Sequence, residues 1–127
     1  MLEPFTYLRP SDTLVLTFPG ALHKRHLTRA GLALKVVSAA CPKARILHDY
    51  SHIQGRRIGR EDLYLEIERH VESAPKGRQA FVVSWPTLEG LILFLLTRNR
   101  RHLRIFTERS AALAWLNEGV APGKRIR

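Results

Sequence analysis

The sequence predicts a single α/β domain, a mostly parallel sheet of four or five strands with helices packed on it. Three observations carry this. Segments rich in β-branched and aromatic residues alternate along the chain with segments of helical periodicity. Residues 80–84 (AFVVS) form an apolar run closed by a serine, as befits a strand covered on both faces. The chain has 127 residues, the length of one domain, and folding at that size buries about two-thirds of the surface.

The elements follow in order. Residues 4–9 and 13–18 read as strands, with Leu14, Leu16 and Phe18 alternating. Pro10, Ser11 and Asp12 between them are turn chemistry, so the pair is a hairpin. Leu27, Ala30, Leu34, Val37 and Cys41 recur at three- and four-residue spacing. That is one face of a helix over residues 22–40, which Pro42 stops. Cys41 lies in line with that face and is expected as a small core residue. Residues 44–48 (ARILH) form a short buried strand, and residues 49–59 a polar loop with two glycines.

Residues 61–73 read as a helix with Leu63, Ile67 and Val71 inward and acids in its first turn, where the helix dipole favours them. After a loop and the strand over 80–84, Pro86 opens a helix running to about residue 97. Residues 103–106 form the last strand. Thr107 is an N-cap for a final helix through Trp115 and Leu116, which Gly119 closes. The order is ββαβαβαβα. Residues 1–121 are the domain, and residues 122–127 a basic, mobile tail.

Composition excludes several classes. A chain that is 45% hydrophobic and 25% charged is globular rather than disordered or collagenous. One cysteine excludes an internal disulfide framework and any multi-cysteine zinc site. The first residues carry no secretory pattern, and the longest apolar run, residues 91–96, is far short of the ~20 residues that span a bilayer. A cytoplasmic protein with no membrane span is expected. No cofactor motif is present.

The unusual quantity is a net charge of +10, with arginine supplying 16 of the 21 basic residues. The bases cluster at residues 24–29, 56–60, 98–104 and 124–127, whereas Glu61, Asp62, Glu66, Glu68 and Glu72 share one segment. Such a field attracts nucleic acid, anionic lipid, phosphate ligands or acidic proteins without choosing among them. Nucleic acid is the weaker candidate. The arginines have no interleaved aromatics for base stacking, and no helix-turn-helix, zinc-finger or RNP pattern occurs.

The helix over residues 88–96 is apolar almost all round. Leu88, Leu91, Ile92 and Leu95 form a core stripe, and Leu93, Phe94 and Leu96 extend it into an apolar contact surface. A protein partner, self-association as a homodimer, or the wall of an apolar-ligand pocket would each use that surface.

Three stretches carry a family resemblance. Residues 45–55 (RILHDYSHIQG) place an Asp, a Ser and a Gly after a strand. Residues 79–83 (QAFVV) match the next central strand. Residues 105–108 (IFTE), followed by Ala111, Ala112, Ala114, Trp115 and Leu116, match a closing strand and an A-x-x-W-L helix. Over residues 3–118 the chain resembles the SpoIIAA-like proteins, which stand near the STAS group of sulfate transporters and anti-sigma-factor antagonists. The resemblance implies a small α/β sandwich and a binding or regulatory module rather than an enzyme. In the antagonists a partner kinase phosphorylates a serine after this strand. Here the matching place reads Arg57, Ile58, Gly59 and Arg60, so the phosphoacceptor is missing.

Candidate site residues follow from placement. Asp49, Ser51 and His52 lie at the carboxyl end of a central strand, where ligands collect in open α/β sheets. They would form a nucleophilic relay only if folded into hydrogen-bond reach. Otherwise Asp49 and Ser51 bond locally to loop amides. Arg56, Arg57 and Arg60, set among two glycines, could hold a small anion at a helix start, or else pair with Glu61 or Asp62. The pairs His48/His52 and His23/His26 have metal-like spacings but no supporting ligand set, so they are expected as surface histidines, with no metal. No catalytic residue is expected.

Overall fold

The computed structural model describes residues 5–8 and 13–118. Along the chain run β1 (Phe5–Leu8), β2 (Thr13–Thr17), β3 (Ala21–His23), α1 (Lys24–Ala40), β4 (Arg45–Asp49), β5 (Gly55–Arg57), α2 (Arg60–Ser73), β6 (Gln79–Val82), α3 (Leu88–Thr97), β7 (Leu103–Phe106) and α4 (Arg109–Leu116). The main sheet has the order β1-β2-β4-β6-β7. β1 is antiparallel to β2, and the remaining neighbours are parallel. The expected α/β class and the mostly parallel sheet are therefore observed.

Strand alternation divides the core in two. Leu14, Leu16, Ile46 and Phe81 pack against Leu27 and Leu34 of α1, Leu63 and Ile67 of α2, and Ile92 and Leu93 of α3. Val15, Leu47, Ala80 and Val82 pack against Ala112, Trp115 and Leu116 of α4. Three helices thus form a layer on one face of the sheet, with α4 on the other. Each crossover advances the sheet by one strand in the same direction, and a uniform hand of crossover puts its helix on the same face every time.

Arginines at the amino ends of β4 and β6 hold α4 in place. Arg78 donates to the Trp115 carbonyl at 2.6 Å and stacks 4.7 Å from the Trp115 ring centroid. Arg45 donates to the Leu116 carbonyl at 3.2 Å. Both satisfy carbonyls that a helix leaves open at its carboxyl end.

Several local expectations are corrected. β3 and β5 form a separate parallel pair, with Leu22 opposite Arg56. Residues 22 and 23 therefore lie in β3 ahead of α1 rather than in the helix, and the loop over residues 49–59 contains a strand. Each strand has only three residues, and their pairing is non-local, so no periodicity marks them. Cys41 is exposed: it is the C-cap of α1, where the backbone has left the helix (φ −137°, ψ 82°) and no longer follows its buried face. Thr87 rather than Pro86 opens α3, its Oγ1 accepting from the Gly90 amide at 3.1 Å. Glu108, not Thr107, is the N-cap of α4. The turn at residues 10–12, Gly119 and the basic tail lie outside the described residues. No helix among the described residues is long and apolar enough to cross a membrane.

Candidate functional site

β4 lies in the middle of the sheet, and its last residue, Asp49, is only 1% exposed. Alternation turns His48 and Tyr50 toward the three-helix layer and Asp49 toward α4. The Asp49 Oδ1 accepts from the Ser51 amide at 2.9 Å and from the Ser51 hydroxyl at 2.5 Å. Its Oδ2 accepts from Arg109 at 3.1 Å and lies 3.6 Å from His52 Nε2. The fold thus brings together the Asp, Ser and His proposed from sequence, and adds Arg109.

Arg109 was not found by sequence reasoning, because it lies 60 positions from Asp49. One signal was available. An arginine opening a helix opposes the helix dipole, a cost that a nearby carboxylate offsets.

The geometry is that of a closed local turn rather than a relay. A nucleophilic serine needs its hydroxyl against a base that a third group orients. Here the Ser51 hydroxyl donates to Asp49 itself, and the solvent-exposed His52 meets the other carboxylate oxygen. The Ser51 carbonyl also accepts from the Ser84 hydroxyl at 3.0 Å, which ties this turn to the end of β6.

The arginine loop is arranged differently from both sequence readings. Arg56 Nε lies 3.4 Å from Glu89 Oε1 at the start of α3. Glu89 is fully buried, and neither of its carboxylate oxygens has a hydrogen-bond partner among the described residues. Among the described residues, no ion pair joins Arg56, Arg57 or Arg60 to Glu61 or Asp62. Arg60 shares a cleft of about 410 Å³ with Gly59, Glu61 and Asp62, so two carboxylates face any anion entering there. A second cleft of about 380 Å³ is lined by Arg56, Trp85, Pro86, Thr87, Leu88 and Leu91.

The apolar surface of α3 is corrected in phase. Leu93 is fully buried and Leu96 partly so, packed on the core, while Leu91, Phe94 and Leu95 are each about half exposed. Glu89, Ile92, Leu93 and Thr97 form the inward face. A helix apolar all round carries no contrast from which its phase can be read, and only packing sets it. Among the described residues, the eight large exposed hydrophobic residues share one side of the molecule. They are Leu32 and Val36 on α1, Tyr64 and Leu65 on α2, Leu91, Phe94 and Leu95 on α3, and Trp85 just before α3.

Three of the six histidines are buried, and two of them, His26 and His48, were expected at the surface. His48 is fully buried, stacks 4.2 Å from the Phe81 centroid, and meets Gln79 Oε1 through Nε2 at 2.9 Å. Burial pushes its pKa down to about 3. His70 Nε2 donates to the Leu27 carbonyl at 2.6 Å, and its Nδ1 accepts from the Tyr50 hydroxyl at 3.1 Å. Burial lowers His70 to about 4 and raises the Tyr50 hydroxyl. His26 Nδ1 accepts from the His23 amide at 3.0 Å, so that spacing serves the start of α1. Partial burial, then Arg25, lower the His26 pKa. Among the described residues no three His, Cys, Asp or Glu side chains are grouped to hold a metal ion.

No family model, curated protein or solved structure matches this chain.

Proposed function

We propose that this chain is a non-catalytic binding module, SpoIIAA-like in kind and cytoplasmic, that presents the outer face of its three-helix layer to a protein surface. One observation carries the reading. Among the described residues, the eight large exposed hydrophobic residues all lie on α1, α2 or α3 or at the entry to α3. An apolar surface gathered on one side is the mark of a contact site, whereas scattered exposed residues are not. The Asp49 turn supports a binding role too, since its serine hydroxyl and its carboxylate are engaged with each other. Turnover of any substrate that is lost in His52→Ala protein would overturn the non-catalytic reading.

The test is affinity capture from the host's lysate with the wild-type chain and with Phe94→Asp protein, with and without nuclease and at two salt concentrations. A stoichiometric protein that survives nuclease and salt and is lost with Phe94→Asp supports the reading. Equal capture by both proteins sinks it.

A second reading is polyanion binding, nucleic acid or anionic lipid. Arg57, Arg60, Arg98 and Arg101 are exposed and in no ion pair among the described residues, which favours it. Its signature is an affinity that falls steeply with salt, because each neutralised phosphate releases counterions. The cleft beside Leu88 and Leu91 would serve a third reading, an apolar-ligand carrier, and native mass spectrometry without a co-purified ligand would count against it.

A further inference from the structure

The outer face of the helical layer has a charge pattern as well as an apolar one. Arg60, Glu61 and Asp62 open α2, Arg69 pairs with the buried Glu66 partway along it, and Glu68 and Glu72 lie toward its end. α3 has no acidic side chain on its exposed face, since its one carboxylate, Glu89, is buried. Its surroundings are basic instead. Arg56 lines the cleft beside Leu88 and Leu91 near its start, next to Arg57 on the same strand, and Arg98, Arg100 and Arg101 follow its end. Between those charged ends stand Tyr64 and Leu65 on α2, and Leu91, Phe94 and Leu95 on α3.

The two helices run side by side in the same direction. Each returns from the carboxyl end of one parallel strand to the amino end of the next. Two ion pairs set their levels. Arg100, beyond α3, binds Glu72 near the end of α2 at 2.9 Å. Arg56, just before α2, reaches Glu89 in the first turn of α3. The acidic ends of α2 therefore stand level with the basic ends of α3.

We infer that a second copy of this chain docks on this face, about a two-fold axis lying along the seam between α2 and α3. The inference rests on the binding-face reading and names its occupant. That axis places α2 of each copy on α3 of the other, running parallel. Glu61 and Asp62 then face the basic group at the start of the opposite α3. Glu68 and Glu72 face the arginines at its end. The same axis repeats both pairings, as an isologous contact requires. The apolar residues meet in the middle, inside a ring of opposite charges. The other axis available in the plane of the face runs across the helices. It would set α2 on α2 and α3 on α3, acid against acid and arginine against arginine, and a chain of net charge +10 has no surplus of acids to relieve that. The charge pattern selects the first arrangement.

The experiment is sedimentation equilibrium on the full chain over a wide concentration range. Phe94→Glu is the face variant and Ala111→Asp, exposed on α4 across the sheet from this face, is its control. Circular dichroism checks that every variant is folded. A wild-type dimer is expected, with Phe94→Glu raising the dimer Kd at least about tenfold and Ala111→Asp leaving it unchanged. Two charge variants test the pairing itself. One carries Glu68→Lys and Glu72→Lys. The other carries Arg98→Glu and Arg101→Glu. Each alone places like charge opposite like charge and is expected to be monomeric, while their equimolar mixture restores opposite charges in both halves and is expected to dimerise. A wild-type chain that stays monomeric overturns the inference, as does a dimer indifferent to Phe94→Glu or a mixture that does not reassociate. If the chain is monomeric but Phe94→Asp still abolishes lysate capture, the binding face stands and only its self-partner falls.

Discussion

Arg109, the first residue of α4, donates to the buried carboxylate of Asp49 at the end of β4, 3.1 Å away and 60 positions earlier in the chain. The pair fastens α4 to the middle of the sheet. It also supplies the positive charge that a carboxylate 1% exposed requires.

Removing the arginine leaves Asp49 with Ser51 and the exposed His52. Arg109→Ala is expected to lower stability by about 1–3 kcal/mol. Arg109→Lys should recover part of that loss. Urea unfolding of the three proteins measures it, and equal midpoints would show that the pair contributes nothing.

The buried histidines make the fold acid-sensitive. His70 is held near 4 and His48 near 3, both below the ordinary value of 6.5. Above about pH 6.5 both are neutral, folded or unfolded, and the full stability is present. As pH falls below that, the unfolded chain takes up protons that the native chain does not. Each histidine then costs roughly 1 kcal/mol per pH unit, until the native groups protonate near pH 4 and 3. Urea midpoints between pH 7.5 and pH 4 should therefore fall steeply. In His70→Gln protein, whose amide can still donate to Leu27 and accept from Tyr50, the slope should be shallower. An unchanged slope would mean that other groups carry the acid response.

Glu89 is a carboxylate buried at the start of α3 with Arg56 as its counter-charge. Arg56→Ala strands that charge, at a cost on the order of 2 kcal/mol. Adding Glu89→Gln should recover most of it, because a neutral amide tolerates the site better. Additive effects in the double-mutant cycle would show that the two residues do not interact.

Gly77 stands where the chain passes the carbonyls of Lys43 and Ala44, and a Cβ there would fall inside their van der Waals contact. Backbone cannot give way as a flexible side chain can. Gly77→Ala is expected to cost about 2 kcal/mol or more. Gly55→Ala, with nothing within 4 Å of the added Cβ, should stay within about 0.5 kcal/mol of wild type. Thermal melts compare the two directly.

The main frame was legible in the sequence wherever the local pattern and the final burial agree. The three-and-four spacing of Leu27, Ala30 and Leu34 fixes the inward face of α1. Leu63, Ile67 and Val71 do the same for α2, and the apolar run around Phe81 and Val82 marks a central strand. At the site, Asp49 and Ser51 could be foreseen as partners, since an Asp can reach the amide two residues on without help from the rest of the fold.

What the sequence determined by itself is thus the α/β class, the order of the principal strands and helices, the net positive charge and the segregation of acids onto α2. These follow from residue type and from periodicities that each segment carries within itself. The tertiary structure decided the rest. It set the rotation of α3, which buries Leu93 and exposes Leu91, because a uniformly apolar helix takes its phase from what it packs against. It paired β3 with β5, placed Arg109 on Asp49 and Arg56 on Glu89, and enclosed His48 and His70. Each of these joins residues distant in the chain, and a one-dimensional pattern holds no record of which distant segments will meet.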